Sequence, residues 1–249
     1  MALPIRQREG HREPENQELF ISVDFGSTFA GSAFCVASDP TISRNRLKKG
    51  VIKSILGFTS VKEGRPSEAP TLIMYQPDAI IWGWRVYNAK SGSVIQRIKI
   101  CLDDREITRE ERQRIEKGLP MKPDGERMTV DEVLADYLTQ FLTHVKAQLA
   151  PVPFKYLAGD KARLIGTVPA IWTMPARRRT KAALEKAAQQ AGIPLEGEVT
   201  LYSEPEAAFA YSYDKLGAQL ELRVSDIDAY PYQCVEISHE QGRGHHCNR

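Results

Sequence analysis

Over residues 19–37, LFISVDFGSTFAGSAFCVA, hydrophobic positions recur with the period of a strand: Leu19, Ile21 and Val23 share one face. A second strand-like run over residues 30–37 follows, separated only by Asp24-Phe25-Gly26-Ser27-Thr28-Phe29, which has room for a hairpin turn and nothing longer. Residues 51–58 (VIKSILGF) predict a third strand after the basic turn at 46–50. Two short strands are expected at 71–75 and 79–82, and a helix from Gly83 to about Gly92. Residues 94–100 suit either strand or helix, and the charged stretch 105–123 reads as a surface excursion. Together, residues 59–127 read as an insertion packed on the main sheet.

From Thr129 the pattern changes period. Thr129-Val130-Asp131-Glu132 is a capping box. Val130, Val133, Leu134, Tyr137, Leu138, Phe141, Leu142, Val145 and Leu149 then recur at three- and four-residue steps, an amphipathic helix closed by Pro151. A short buried strand at 164–168 ends at Pro169, and a helix over 177–191 stops at Gly192. A strand at 199–202 leads through Ser203-Glu204-Pro205-Glu206 into a third helix with Ala207, Ala208 and Tyr211 facing inward. The order β-β-β-(insert)-α-β-α-β-α describes an α/β fold, a ribonuclease-H-like lobe with a mixed sheet. In such sheets ligands sit at the carboxyl ends of the strands. Asp24 to Thr28, Val168-Pro169-Ala170 and Tyr202-Ser203-Glu204 all end there.

Composition narrows the possibilities. With 34 Lys+Arg against 32 Asp+Glu, a net charge of +2 implies no global attraction to nucleic acid or membrane. No apolar run reaches the roughly 20 residues that span a bilayer. Residues 1–18 are polar and lack the apolar core of a secretory signal, so a disordered arm is expected. Cys35, Cys101, Cys234 and Cys247 are too scattered for a disulfide framework, and a reducing, cytoplasmic location is expected. In the final stretch Cys234, His239, His245, His246 and Cys247 fit no standard zinc spacing. Residues 227–249 show no periodicity and read as a divergent, disordered tail.

The opening turn carries the candidate chemistry. Gly26 permits close backbone approach, turn amides and hydroxyls can donate to phosphate oxygens, and Asp24 can hold a metal directly or through water. An ordinary hairpin with polar turn residues is the plainer alternative.

Three blocks in order, ISVDFGSTFAGSAF (21–34), IGTVPAIWTMPARRRTKAALEKAAQQAGI (165–193) and LYSEPEAAFAY (201–211), resemble the actin-like ATPase superfamily. The nearest resemblance is to a divergent branch of the seventy-kilodalton heat-shock (DnaK-type) chaperones. It covers most of residues 19–226 and only loosely the insert. The resemblance implies ATP or ADP and Mg2+ as cofactors. Asp24 matches the acid that orients magnesium-bound water, and Gly26, Ser27, Thr28 and Phe29 match the loop around the β- and γ-phosphates. Lys99 matches the lysine that reaches the γ-phosphate, Glu204 the carboxylate that positions metal or attacking water, and Pro169 a relay proline. Plainer readings stand beside these: Glu204 favouring a helix N-terminus, Lys99 on the surface, Pro169 ending a strand. Arg177, Arg178, Arg179 and Lys181 read as a solvated helix start, with no nucleic-acid module beside them.

The second phosphate loop of that family, D-x-G-G-G-T, has no counterpart, since the chain contains no Gly-Gly pair. The expectation is a chain truncated after the first lobe, binding ATP through one phosphate loop, with hydrolysis weak or lost. The alternative is a non-catalytic interaction fragment that takes a protein partner on its exposed inter-lobe surface, with no nucleic-acid or membrane partner.

Overall fold

A computed structural model describes residues 18–37, 52–58, 67–89, 92–149 and 161–216. Residues 1–17 of the expected arm and the expected tail at 227–249 lie outside the described residues, as do the cysteines and histidines of that tail.

The alternation of the opening stretch becomes an antiparallel hairpin, β1 (Glu18–Phe25) with β2 (Phe29–Ala37), in which Phe25 faces Ala30. Leu19, Ile21, Val23 and Phe25 are all buried, as the two-residue period requires. The third strand is shorter than the pattern suggests. Only β3 (Lys53–Ser54) forms a strand, paired with Phe34 and Ala33; the Ile55 amide still donates to the Ser32 carbonyl at 2.8 Å, and Ile55 and Phe58 are buried in the core.

The insert begins by joining the main sheet: β4 (Glu68–Pro70) pairs with Phe29 to Gly31 of β2, beside the hairpin turn. Next, β5 (Leu72–Gln76), β6 (Ala79–Trp82) and β7 (Val94–Gln96) form a separate antiparallel sheet in the order β6-β5-β7. The helix expected at Gly83 is a 3-10 segment, Gly83–Asn88. The ambiguous stretch at 94–100 is both things in turn. Arg97 takes a left-handed backbone (φ 61°, ψ 24°) that breaks β7 from a 3-10 turn, Ile98–Leu102. Within the charged excursion, α1 (Arg109–Lys117) follows a 3-10 turn at Glu106–Thr108 and buries none of its residues.

The capping box behaves as its chemistry demands. Glu132 accepts from the Thr129 amide at 2.8 Å, and the Glu132 amide donates to Thr129 Oγ1 at 3.2 Å. It opens α2 (Val130–Leu149), whose apolar stripe from Val130 to Leu149 is buried. Phe25 and Phe58 meet this stripe through Tyr137 (5.8 Å between rings) and Phe141 (5.0 Å). Then come β8 (Ala162–Val168), α3 (Met174–Gln190), β9 (Thr200–Ser203) and α4 (Glu204–Leu216). Helix α3 starts three residues before the apolar pattern indicates, with Pro175 in its first turn. Its end lies where Gly192 (φ 67°) turns left-handed, and Lys146 of α2 donates to the Ala191 and Gly192 carbonyls.

The main sheet runs β3-β2-β1-β8-β9, with β1, β8 and β9 parallel and β2 antiparallel to β1. Parallel neighbours need long crossovers, and α3 supplies the one between β8 and β9. Helices α2 and α3 pack together. Gly166 shows how closely α3 approaches the sheet: a Cβ there would lie 2.7 Å from Leu184 Cδ1 and 2.9 Å from Leu201 Cδ2. The protein is thus a mixed α/β structure.

Among the described residues, those up to Glu204 form one compact unit and those from Pro205 belong to a second. Within α4, Phe209 and Tyr213 stack at 6.1 Å, but Ala208 and Tyr211 are exposed, contrary to the inward face expected for them. No helix among the described residues is long and apolar enough to cross a membrane.

Candidate functional site

Because β1, β8 and β9 are parallel, their carboxyl ends meet on one edge of the sheet. That edge carries Asp24 and the hairpin turn from β1, Thr167 and Pro169 from β8, and Ser203 and Glu204 from β9.

The turn is built to stay tight. The Gly26 amide donates to the Phe29 carbonyl at 2.9 Å, and a Cβ on Gly26 would lie 2.3 Å from that same oxygen. No side chain fits there without moving backbone. The insert braces the turn from one side. Thr71 Oγ1 donates to the Gly26 carbonyl at 2.9 Å, and the Thr71 amide donates to the Thr28 carbonyl at 2.8 Å. The Phe29 ring rests against Trp84 at 6.0 Å, and Trp84 Nε1 donates to the Glu68 carbonyl. Thr28 and Asp24 are exposed, while Gly26 and Ser27 are half-buried. Asp24 accepts a 2.7 Å hydrogen bond from Thr167 Oγ1.

Lys99 is the buried member of the site. The left-handed Arg97 turns the chain so that Lys99, in the 3-10 turn, points inward, with its side chain 5% exposed. Its ammonium lies 2.7 Å from Glu204 Oε1, across 105 positions of sequence. It also lies 5.9 Å from the centre of the Phe25 ring and 5.4 Å from that of Trp172. Aromatic faces attract a cation, so the two rings and one carboxylate offset the loss of hydration. Pro169 helps to place this wall: its carbonyl accepts from the Trp172 amide at 3.1 Å, closing the turn that returns Trp172 to the core. The plain surface-lysine reading of Lys99 therefore does not hold.

The structure brings Lys99 to Glu204 and keeps the Gly26–Phe29 turn next to Asp24, whereas Asp24 makes its hydrogen bond with Thr167 rather than with either charged partner. At the basic start of α3, at least two of the four cations are held by protein groups. Arg179 bonds Asp131 and the Cys101 carbonyl, and Lys181 bonds Glu198. Nearby, Arg105 holds the Asp103 carboxyl below the usual carboxylate range by hydrogen bonding. Burial pushes the Cys101 thiol up to about 12, which leaves it without thiolate character.

Thr167, Trp172 and Thr71 carry no sequence signal of their own as site residues. Thr167 and Trp172 lie within the block quoted for the resemblance, and strand period alone puts Thr167 on the same face as Asp24. Thr71 is separated from Gly26 by 45 positions, and only folding joins them. Among the described residues no three of His, Cys, Asp and Glu gather as metal ligands. A surface depression of about 430 Å³ is lined by Gln113, Glu116, Lys117 and Arg127, none of them at the strand edge. The chain matches no protein-family model and no curated protein.

Proposed function

We propose that residues 19–216 contain the first lobe of an actin-like, chaperone-type ATPase domain with a ribonuclease-H-like sheet, binding the phosphates of ATP or ADP at the strand edge. The observation that carries this reading is the buried Lys99 held to Glu204 beside the carboxyl ends of β1, β8 and β9. Burying an ammonium costs several kcal/mol before pairing, so a fold tolerates it mainly where a carboxylate or another anion compensates. The strand order, with β2 reversed against three parallel strands, supports the ribonuclease-H-like assignment.

The residues present suit a magnesium–polyphosphate. Gly26 closes the turn on the Phe29 carbonyl and adds no side chain ahead of the hydroxyls that follow it. Ser27 and Thr28 offer hydroxyls, Lys99 a cation with three donors, and Asp24 a carboxylate open to solvent. Mg2+ commonly keeps its waters and takes one or two carboxylates, so Asp24 through water suffices without a protein cage. The bound metal would supply charge neutralisation at the phosphates. In this reading Asp24 would orient the metal's water, the turn would cradle phosphate, Lys99 would balance charge, and Glu204, bonded to Lys99, would orient a water. Among the described residues the cradle has one wall, and we expect hydrolysis by these residues to be weak or lost.

Calorimetry of Mg-ATP binding tests the proposal. Micromolar affinity, reduced about tenfold or more by Asp24→Asn, supports it. No heat at millimolar nucleotide refutes it.

A second reading, a non-catalytic interaction fragment, is favoured by exposed apolar side chains flanking the same edge: Ile171 and Met174 after β8 and Tyr202 on β9, each at least half exposed. Light scattering over a concentration series separates the readings. A monomer at every concentration that binds Mg-ATP leaves only the first.

A further inference from the structure

Resting on that reading of the strand edge, we propose that Thr167 is a positioning residue for Asp24, fixing the carboxylate that would order the hydrated magnesium ion.

The sheet register sets up the contact. Val23 pairs with Gly166, so the next residue on each strand, Asp24 and Thr167, falls on the same, outer face. Thr167 in turn pairs with Tyr202 of β9, which places the threonine between two parallel strands rather than on a loop. Its hydroxyl donates to Asp24 Oδ1 at 2.7 Å, the length of a charge-assisted O–H···O⁻ bond. A β-branched side chain on a strand has few χ1 choices, so the donor is already aimed. One carboxylate oxygen is thereby held, which leaves Oδ2 of the exposed Asp24 as the oxygen to which a metal-bound water would donate. Sites built on strands hold geometry better than sites on loops. Asp24 is exposed, and without this tether its carboxylate would be free to change rotamer.

The contrary view is that Thr167 merely satisfies a surface carboxylate and has no bearing on the metal. Two substitutions separate the views. Thr167→Val keeps the shape and strand preference but removes the hydroxyl, and Thr167→Ser restores it; Thr167→Ala serves as a second hydroxyl-free variant if the valine crowds the edge.

On the whole chain labelled with 13C at aspartate, the Asp24 carboxyl resonance, identified by its loss in Asp24→Asn, is followed without nucleotide. It should move in Thr167→Val and return in Thr167→Ser. In parallel, ATP is titrated with Mg2+ and with EDTA. The Mg-ATP affinity should fall about three- to tenfold in Thr167→Val, recover in Thr167→Ser, and be unchanged in EDTA. A resonance indifferent to the hydroxyl overturns the contact whatever the nucleotide does. Equal Mg-ATP affinity in wild type and Thr167→Val overturns the positioning role. A resonance that follows the hydroxyl in a wild-type chain that binds no Mg-ATP refutes the phosphate reading and upholds the Thr167–Asp24 contact.

Discussion

Gly26 shows how much one missing side chain can hold in place. A Cβ there would sit 2.3 Å from the Phe29 carbonyl oxygen, which itself closes the turn. Gly26→Ala must therefore push the turn off Thr71, and we expect a loss of about 1–3 kcal/mol in urea unfolding. The Lys99–Glu204 pair gives an asymmetric prediction. Glu204 is 43% exposed and, left alone, turns to water, whereas Lys99 is buried between Phe25 and Trp172. Glu204→Ala strands an ammonium and should cost about 1–3 kcal/mol. Lys99→Met removes the buried charge and should stay within about 1 kcal/mol of wild type. Urea midpoints in the reverse order would discard this account of the pair. At this scale the sequence was partly legible. Asp24 and Gly26 stood out as an acid and a glycine at a strand end, while the burial of Lys99 depends on the left-handed Arg97, which nothing in the residue types announces.

Among the elements, α2 was the most legible, because its period and its capping box agree. The box also carries a pH signature. Lys122 first, and then the Thr129 amide and hydroxyl, draw the Glu132 carboxyl down to about 2 from 4.5. The folded value is below the unfolded one, so the contribution is complete above about pH 4.5 and disappears as pH falls towards 2. Thr129→Ala should cost about 1 kcal/mol at neutral pH. It should also flatten the acid limb of stability between those limits, measured by circular dichroism in urea. The short strands were less legible. β3 has only two residues, and beyond it Ile55 and Phe58 are buried in the core. Apolar content predicts burial there, and burial took a shape other than a strand.

For the whole molecule, the packing of α2 against the segment after β3 and against β6 sets a second pH dependence. The His144 ring lies 4.5 Å from Phe58 and 6.2 Å from Trp82, and Nε2–H donates to the Leu56 carbonyl. Burial lowers the His144 pKa from 6.5, against a smaller opposing effect of that hydrogen bond. Unfolded histidine binds the proton more readily, so this contribution is full above pH 6.5 and is lost as pH falls through 6.5 to the folded value. The urea midpoint should drop between pH 7.5 and 5.5, and His144→Gln should reduce that drop. Read alone, the sequence yields the α/β class with a mixed sheet, the alternation of helices and strands after Thr129, and the strand ends at which Asp24, Pro169 and Glu204 lie. These follow from hydrophobic period and turn chemistry, which are local properties of the chain. Only the tertiary structure decided that Lys99 is buried, that Glu204 is its partner, that Thr71 braces the turn and that Thr167 holds Asp24. Those contacts span 45 to 143 positions, and the packing that makes them favourable exists only once the sheet and its insert have closed on one another.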